Sequence, residues 1–474
     1  MDTPILNGLL DYAMEENIPF HMPGHKNNKR GFSELEKIKD NLFSIDLTEV
    51  EGVDNLHNPE AMIKEGQIKL AKALGANESF ILVNGSTSGV YSMILGLTKP
   101  KDKILIQRNC HRSVYMAAFL GDLEVEYINP TIIDEFNIPV SISIDEIISK
   151  IEKNKDAKAI VITYPTYYGT CADLGKIIEA AHKNGMYVLV DEAHGAHFGF
   201  SKLMPKTAME LGADVSVNSF HKTLPSLTQT AVLNVNKGVP IEGIKFMLRL
   251  FQSTSPSYIF MASVDVARFI MEKHGEGLME ELLENINKFK ERIDDLKEFK
   301  VLDEKYIGKA DIHDIDRSRI VINSYFGGKF LDGILRKEYN IQVEMADLNN
   351  IVLIGSISDK AEFYDKIYMA LKDIAVKYKG SINKNVDMKC GFIDYKKAMS
   401  IKEAYYKEKR SVKIENAVGC ISGEFVIPYP PGVPILVPGE IITKDILELI
   451  TIYKENGISI VGIEDSSCDT INIL

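Results

Sequence analysis

The chain has 474 residues, of which 45% are hydrophobic and 26% charged, and its formal net charge is −12. That length exceeds one ordinary core, so two or three domains are expected, with the composition of a globular rather than a disordered chain. The acidic balance argues against nucleic acid and anionic membrane surfaces as partners, and no apolar run approaches the ~18 residues needed to cross a membrane.

The opening stretch, MDTPILNGLLDYAMEENIPF, lacks the basic-then-apolar pattern of a signal peptide. Five cysteines (110, 171, 390, 420 and 468) form no CxxC pair, so reduced thiols in a cytoplasmic protein are expected. Residues 1–60 read as a segment packing on the domain that follows. From there to about residue 235, short apolar runs alternate with stretches of helical period. The runs are 80–83, 103–106, 124–128, 159–163, 186–190 and 215–218. LGKIIEAAHKNG (174–185) predicts a helix that closes on Gly185. Strands alternating with helices imply crossover connections and a mostly parallel sheet buried on both faces. This assigns 61–262 to a large α/β domain. A long charged helical stretch at 266–299 leads into a smaller α+β domain, 263–380, with strands in SRIVINSYF and NIVLIG. The polar segment 381–390 reads as a linker opening a C-terminal domain, 381–474. There, FVIPYPPGVPILVPGE carries Pro428, Pro430, Pro431, Pro434 and Pro438, which forbid helix and predict a rigid loop on which something specific packs.

Ligands of such sheets lie beyond the carboxyl ends of the strands, so the residues just after each run carry the functional information. NGSTSGV after the first run sets Ser86, Thr87 and Ser88 at the mouth of a helix. Hydroxyls and exposed N–H groups there suit a phosphate, although the same residues serve as ordinary helix caps. No nucleotide P-loop motif is present. QRNCHRSV places His111 behind the second run, and DEAHGAH places Asp191, an otherwise costly buried carboxylate, directly behind the fifth. His194, His197 and His221 raise the question of a metal, but no ligand set completes one. SFHK ends the last run with Ser219, His221 and Lys222. One ligand uses a phosphate cradle, a flat ring, a buried acid and a lysine together: pyridoxal 5′-phosphate, held covalently on the lysine with the acid opposite its ring nitrogen. Ser219 and His221 then help to hold its phosphate.

PFHMPGHK (19–26), DNLHNPE (54–60), NGSTSG (84–89), RNCHRS (108–113), DEAHGAH (191–197), SFHK (219–222), QSTSPSY (252–258) and YPPGVPILVPGE (429–440) occur in that order. Together they resemble the Orn/Lys/Arg decarboxylases, a bacterial branch of the aspartate-aminotransferase-like, fold-type-I enzymes. The resemblance spans nearly the whole chain. The sequence starts almost at PFHMPGHK, without the response-regulator-like domain of the large acid-stress members, and is closer to the short biosynthetic type. The resemblance implies that Lys222 bonds the cofactor, that Asp191 pairs with its ring nitrogen and that His111 stacks on its face. Ser86, Thr87, Ser88, Ser219 and His221 would hold the phosphate, with His194 within reach of ring or substrate. Ser253 or Thr254 would complete the site of a neighbouring subunit, which makes a homodimer the smallest competent unit.

The implied reaction is α-decarboxylation of a basic L-amino acid. Arginine, giving agmatine for polyamine synthesis, is the expected substrate; lysine and ornithine are the alternatives. Another fold-type-I reaction such as transamination, or a silent cofactor-binding regulator, is the rival, and product analysis separates them. A cationic substrate needs acidic partners, and VGIEDSSCD (461–469) offers Glu464 and Asp465. The competing expectation for that pair is a solvated turn.

Overall fold

A computed structural model describes residues 2–380, 393, 395–429 and 432–474. The linker expected at 381–390 lies outside the described residues, as do Cys390, Pro430 and Pro431. Helix α1 (Pro4–Met14) and strand β1 (Ile18–Phe20) precede the main domain, and α2 (Met62–Leu74) leads into it. Its strands are β2 (Glu78–Leu82), β3 (Lys103–Gln107), β4 (Glu124–Ile128), β5 (Ala159–Thr163), β6 (Tyr187–Asp191), β7 (Val215–Asn218) and β8 (Ala231–Val235). They form one seven-stranded sheet in the order β2-β8-β7-β6-β5-β3-β4. Only β8 runs against its neighbours, so the sheet is mostly parallel, as expected. The apolar runs do not include β8. Asn234 interrupts its pattern and is tolerable inside the sheet because Ser79 and Asn218 bond it, each at 2.6 Å.

Both faces of the sheet are covered, which a parallel sheet requires. Along β3, Leu105 packs into the core on one side, while Ile104 and Ile106 join the core on the other. Helices α3 (Gly85–Leu95), α4 (Arg112–Gly121) and α5 (Leu174–Lys183) follow β2, β3 and β5. The chain leaves α5 through Gly185 at a φ of +73°, a conformation glycine adopts without strain. A single turn, α6 (Phe220–Thr223), follows β7.

The 36-residue helix α7 (Tyr258–Ile293) connects to the smaller domain and begins before the charged stretch that predicts it. There β9 (Phe299–Leu302), β10 (Arg319–Ser324), β12 (Met345–Ala346) and β13 (Asn350–Ile354) form an antiparallel sheet in the order β9-β10-β13-β12. Strand β11 (Ile341–Val343) pairs instead, in parallel, with β1. That pairing joins the N-terminal segment to the smaller domain. The segment also clamps the main domain: a Cβ on Gly24 would stand 2.5 Å from the Leu224 carbonyl oxygen, and its N–H donates to the His221 carbonyl at 2.7 Å. Lys26 is buried there, donating to the carbonyls of His21 and Ile354.

The C-terminal region has its own core, including Val426, Leu436, Ile446 and Ile471. Its proline-rich loop finds its packing partner in Arg108, which donates to the Pro434 carbonyl at 2.6 Å and pairs with Glu440 at 3.1 Å. Both charges are 2% exposed or less. Such a pair is tolerated only when well bonded, and the rings of Tyr115, Tyr127 and Tyr395 close around the guanidinium.

Candidate active site

The carboxyl ends of β2, β3, β5, β6 and β7 open on one cavity of about 600 Å³. Gly85, at a φ of +74°, turns the chain from β2 into α3. Ser86 and Thr87 in its first turn line the cavity. Ser88 does not: its hydroxyl donates to the Gly85 carbonyl at 2.8 Å, so only its neighbours are free to meet a phosphate. The loops behind β3, β5 and β6 bring Asn109 and His111, Tyr167, and Asp191 with His194 to the same wall. Tyr429 and Val433 of the proline-rich loop complete it, and the Gly432 carbonyl accepts the Arg112 N–H at 3.3 Å.

Lys222 projects from α6 with its Nζ 2.9 Å from His194 Nε2. Burial pushes its pKa down and the Arg319 charge adds to this, against the pull of Asp191 and Glu344. Asp191 ends β6 at 5% exposure and accepts the Ala193 N–H at 3.2 Å. Among the described residues its carboxylate has no ion-pair partner, and burial pushes its pKa up despite Lys222. His111 caps α4 by accepting the Ser113 N–H on Nδ1. Burial, then Lys222 and Arg112, push it down to about 3. His221 donates from Nδ1 to the Thr230 carbonyl at 2.9 Å, and burial pushes it down to about 4. His194 is held well below the usual histidine range by burial, Lys222 and Arg319. Near neutral pH the lysine is thus ringed by three uncharged imidazoles.

Three buried side-chain oxygens around this site, Ser219 Oγ, Thr163 Oγ1 and Asn109 Oδ1, have no hydrogen-bond partner among the described residues. Buried polar atoms are rarely left so unless a ligand or water meets them. Together with the unpaired Asp191 carboxylate, they fit a polar, phosphorylated ring compound bonded to Lys222.

Other expected residues lie elsewhere. His197 pairs with Asp316 at 3.1 Å, away from the cavity. Ser253 and Thr254 are exposed and outside their own chain's cavity. Glu464 and Asp465 do not line it either. Glu464 accepts from Asn472 at 2.7 Å, while Asp465 accepts from Ser467 and Thr470, which hold its carboxyl far below the usual range. The pair lies in the loop before the last strand (Thr470–Ile473), where Asp465 bonds Ser467 and Thr470 and Glu464 bonds Asn472 of that strand.

The acid that does line the cavity beside Asp191 is Glu344, which accepts the Met22 N–H at 3.0 Å and the Tyr167 O–H at 2.7 Å. No motif singles it out. The available signal is alternation in IQVEM, where Ile341, Val343 and Met345 are buried while Gln342 and Glu344 are only half-buried; Gln342, Val343 and Glu344 all line the cavity. Tyr167 packs edge-on against His194 with ring centroids 5.0 Å apart, and buried Arg319 stands behind that histidine.

A mostly parallel sheet carrying a lysine, an acid and a histidine at its strand ends, joined to a smaller antiparallel domain, is the aspartate-aminotransferase-like, fold-type-I α/β architecture. The lysine decarboxylase LdcF of Francisella novicida shares the fold, with a TM-score of 0.78 at 19% identity over 95% of this chain and 77% of that one. The chain belongs to the Orn/Lys/Arg decarboxylase family: the family's major domain matches residues 3–326 and its C-terminal domain residues 386–465. It is 34% identical over 479 residues to an arginine decarboxylase of Bacillus anthracis, covering 100% of this chain and 97% of that one. To an arginine decarboxylase of Bacillus subtilis (strain 168) it is 33% identical over 480 residues, covering 100% and 98%.

Proposed function

We propose that the chain carries out pyridoxal 5′-phosphate-dependent α-decarboxylation of arginine, giving agmatine and CO2 for polyamine synthesis, with lysine as the second substrate. The observation that carries this reading is the unpaired, buried Asp191 carboxylate on the same cavity as Lys222, in a chain of this family. Lys222 would hold the cofactor, and Asp191 would face its ring nitrogen as the counter-ion of the protonated form. When bound, the cofactor supplies an electron sink for the carbon that loses CO2. The uncharged ring of His111 would pack against the cofactor ring, and Ser86, Thr87, Ser219 and His221 would hold its phosphate. Lys222 or His194, 2.9 Å apart, returns a proton to the substrate's Cα.

Glu344 binds the cationic end of the substrate. Among the described residues it has no ion-pair partner, and the planar fork of a guanidinium suits a carboxylate well. The identity with the Bacillus arginine decarboxylases supports arginine over lysine and ornithine. A homodimer accounts for two features. Helix α1 buries none of its residues yet exposes Ile5, Leu9 and Leu10, and Thr254 stands outside its own chain's cavity, free to complete a partner's. The described cysteines are all unpaired, which supports the cytoplasm. No helix among the described residues is long and apolar enough to cross a membrane.

The test is a panel of arginine, lysine and ornithine, assayed for CO2 and amine. CO2 with agmatine is the expected result. A higher kcat/KM for lysine or ornithine moves the substrate and keeps the reaction; a keto acid without CO2 replaces decarboxylation by transamination.

A further inference from the structure

Arg319 opens β10 and is 1% exposed, yet it does not line the cavity. Its Nη2 stands 3.0 Å from His194 Nδ1, while its Nε and Nη1 have no hydrogen-bond partner among the described residues. Asp316, the nearby acid, takes His197 and Ser318 on Oδ1, while its buried Oδ2 has no hydrogen-bond partner and makes no ion pair with Arg319 among the described residues. A buried arginine thus directs its hydrogen bonding at an imidazole instead of a carboxylate. Gly169 makes room for it: at a φ of +83°, a Cβ there would stand 2.5 Å from Arg319 Cβ.

The consequence follows from donor and acceptor counting. A guanidinium donates and never accepts, so His194 Nδ1 accepts. A neutral imidazole that accepts on one nitrogen carries its proton on the other. His194 Nε2 is therefore the donor, and the atom 2.9 Å beyond it is Lys222 Nζ. An ammonium at that position would offer a proton to a nitrogen that already carries one; only the free amine accepts. We propose that Arg319 is a positioning residue, which fixes His194 as its Nε2–H tautomer and thereby holds Lys222 as a neutral amine.

The surrounding charges are consistent with this. Lys222 and Arg319, followed by His111 and His221, disfavour a charged His194. Asp191 on β6 and Glu344 beyond β11 favour an ammonium at Lys222, and they act against burial and against Arg319 on β10. A neutral amine is the form that adds to a carbonyl carbon. The inference takes from the proposed function only that Lys222 is the reactive amine, and it is indifferent to which reaction follows.

The test uses the full-length chain freed of cofactor, so it does not read activity. Nitrogen-15 NMR of histidine-labelled protein, with His194 assigned through His194→Gln, should show an unprotonated Nδ1 and a protonated Nε2 at neutral pH. This measurement needs no Arg319 variant, and a protonated Nδ1 in the wild type overturns the proposal. Labelling of Lys222 by an amine-reactive acylating agent, followed with pH by mass spectrometry of its peptide, supplies the second readout. Arg319→Met should mix the two tautomers and raise the labelling midpoint by about one pH unit, and Arg319→Lys should restore it. An Arg319→Met variant with unchanged tautomer and midpoint reduces Arg319 to a packing element. Absence of CO2 with every substrate, alongside the expected tautomer, would remove the decarboxylase reading and leave this one standing.

Discussion

Replacing Glu344 by glutamine removes a negative charge from the cavity while nearly conserving volume. The carboxylate is half-buried and takes one donor on each oxygen, the Met22 N–H and the Tyr167 O–H. Glutamine keeps an acceptor for one of them and turns its amide N–H groups toward the other. A substrate guanidinium bound here makes charge-assisted hydrogen bonds, worth about 1.5–3 kcal/mol each. Breaking one side of a desolvated pair costs about 2–5 kcal/mol. Partial exposure of Glu344 screens the charge, so about 2–3 kcal/mol is the expected loss, or roughly 30- to 160-fold in kcat/KM for arginine. The assay is CO2 release from arginine beside citrulline, its uncharged near-isostere, on which the substitution should have little effect. An unchanged kcat/KM for arginine, or an equal loss with citrulline, refutes the assignment. Glu464→Gln with Asp465→Asn should leave KM for arginine unchanged, since those carboxylates serve Asn472, Ser467 and Thr470.

Borohydride should bleach the visible band of the cofactor-loaded protein and leave the reduced label on the peptide containing Lys222; a label on another lysine ends the assignment. Lys222→Ala should bind the cofactor non-covalently and turn over negligibly. Asp191→Asn should lower kcat by orders of magnitude with the phosphate anchors intact, and Asp191→Glu by less, whereas near-wild-type kcat for the asparagine variant makes the carboxylate structural. Stability should respond to pH through Glu192, 1% exposed, whose carboxyl burial pushes up to about 8. The folded chain keeps a proton that the unfolded chain releases, so this contribution is complete below about pH 4.5 and is lost as pH rises through about 8. Glu192→Gln, which cannot titrate, should gain on the wild type by on the order of 4 kcal/mol between about pH 5 and pH 8.5. Paired thermal melts test this, and a constant difference in Tm across that range disproves it.

Lys222, His111, Ser86 and Thr87 were legible because each follows a strand within a few residues, and Asp191 because it ends one; the carboxyl ends of parallel strands share one edge of a sheet. There, distance along the chain converts directly into position in space. Ser88 escapes that logic: successive residues of a helix turn by about 100°, and at Ser88 the hydroxyl returns to the Gly85 carbonyl. Strand β8 was hidden by Asn234, whose cross-strand partners lie 16 and 155 residues away. Glu464 and Asp465 look alike in a pocket and in a turn, and their hydrogen-bond partners alone decide between the two. Glu344 meets Met22 across 322 residues because β1 pairs with β11, and Arg319 meets His194 across 125. Hydrophobic period and turn chemistry are local properties, written residue by residue. Which side chains meet between distant elements depends on pairing register and on close approaches such as Gly169 on Arg319, and these exist only once the chain has packed.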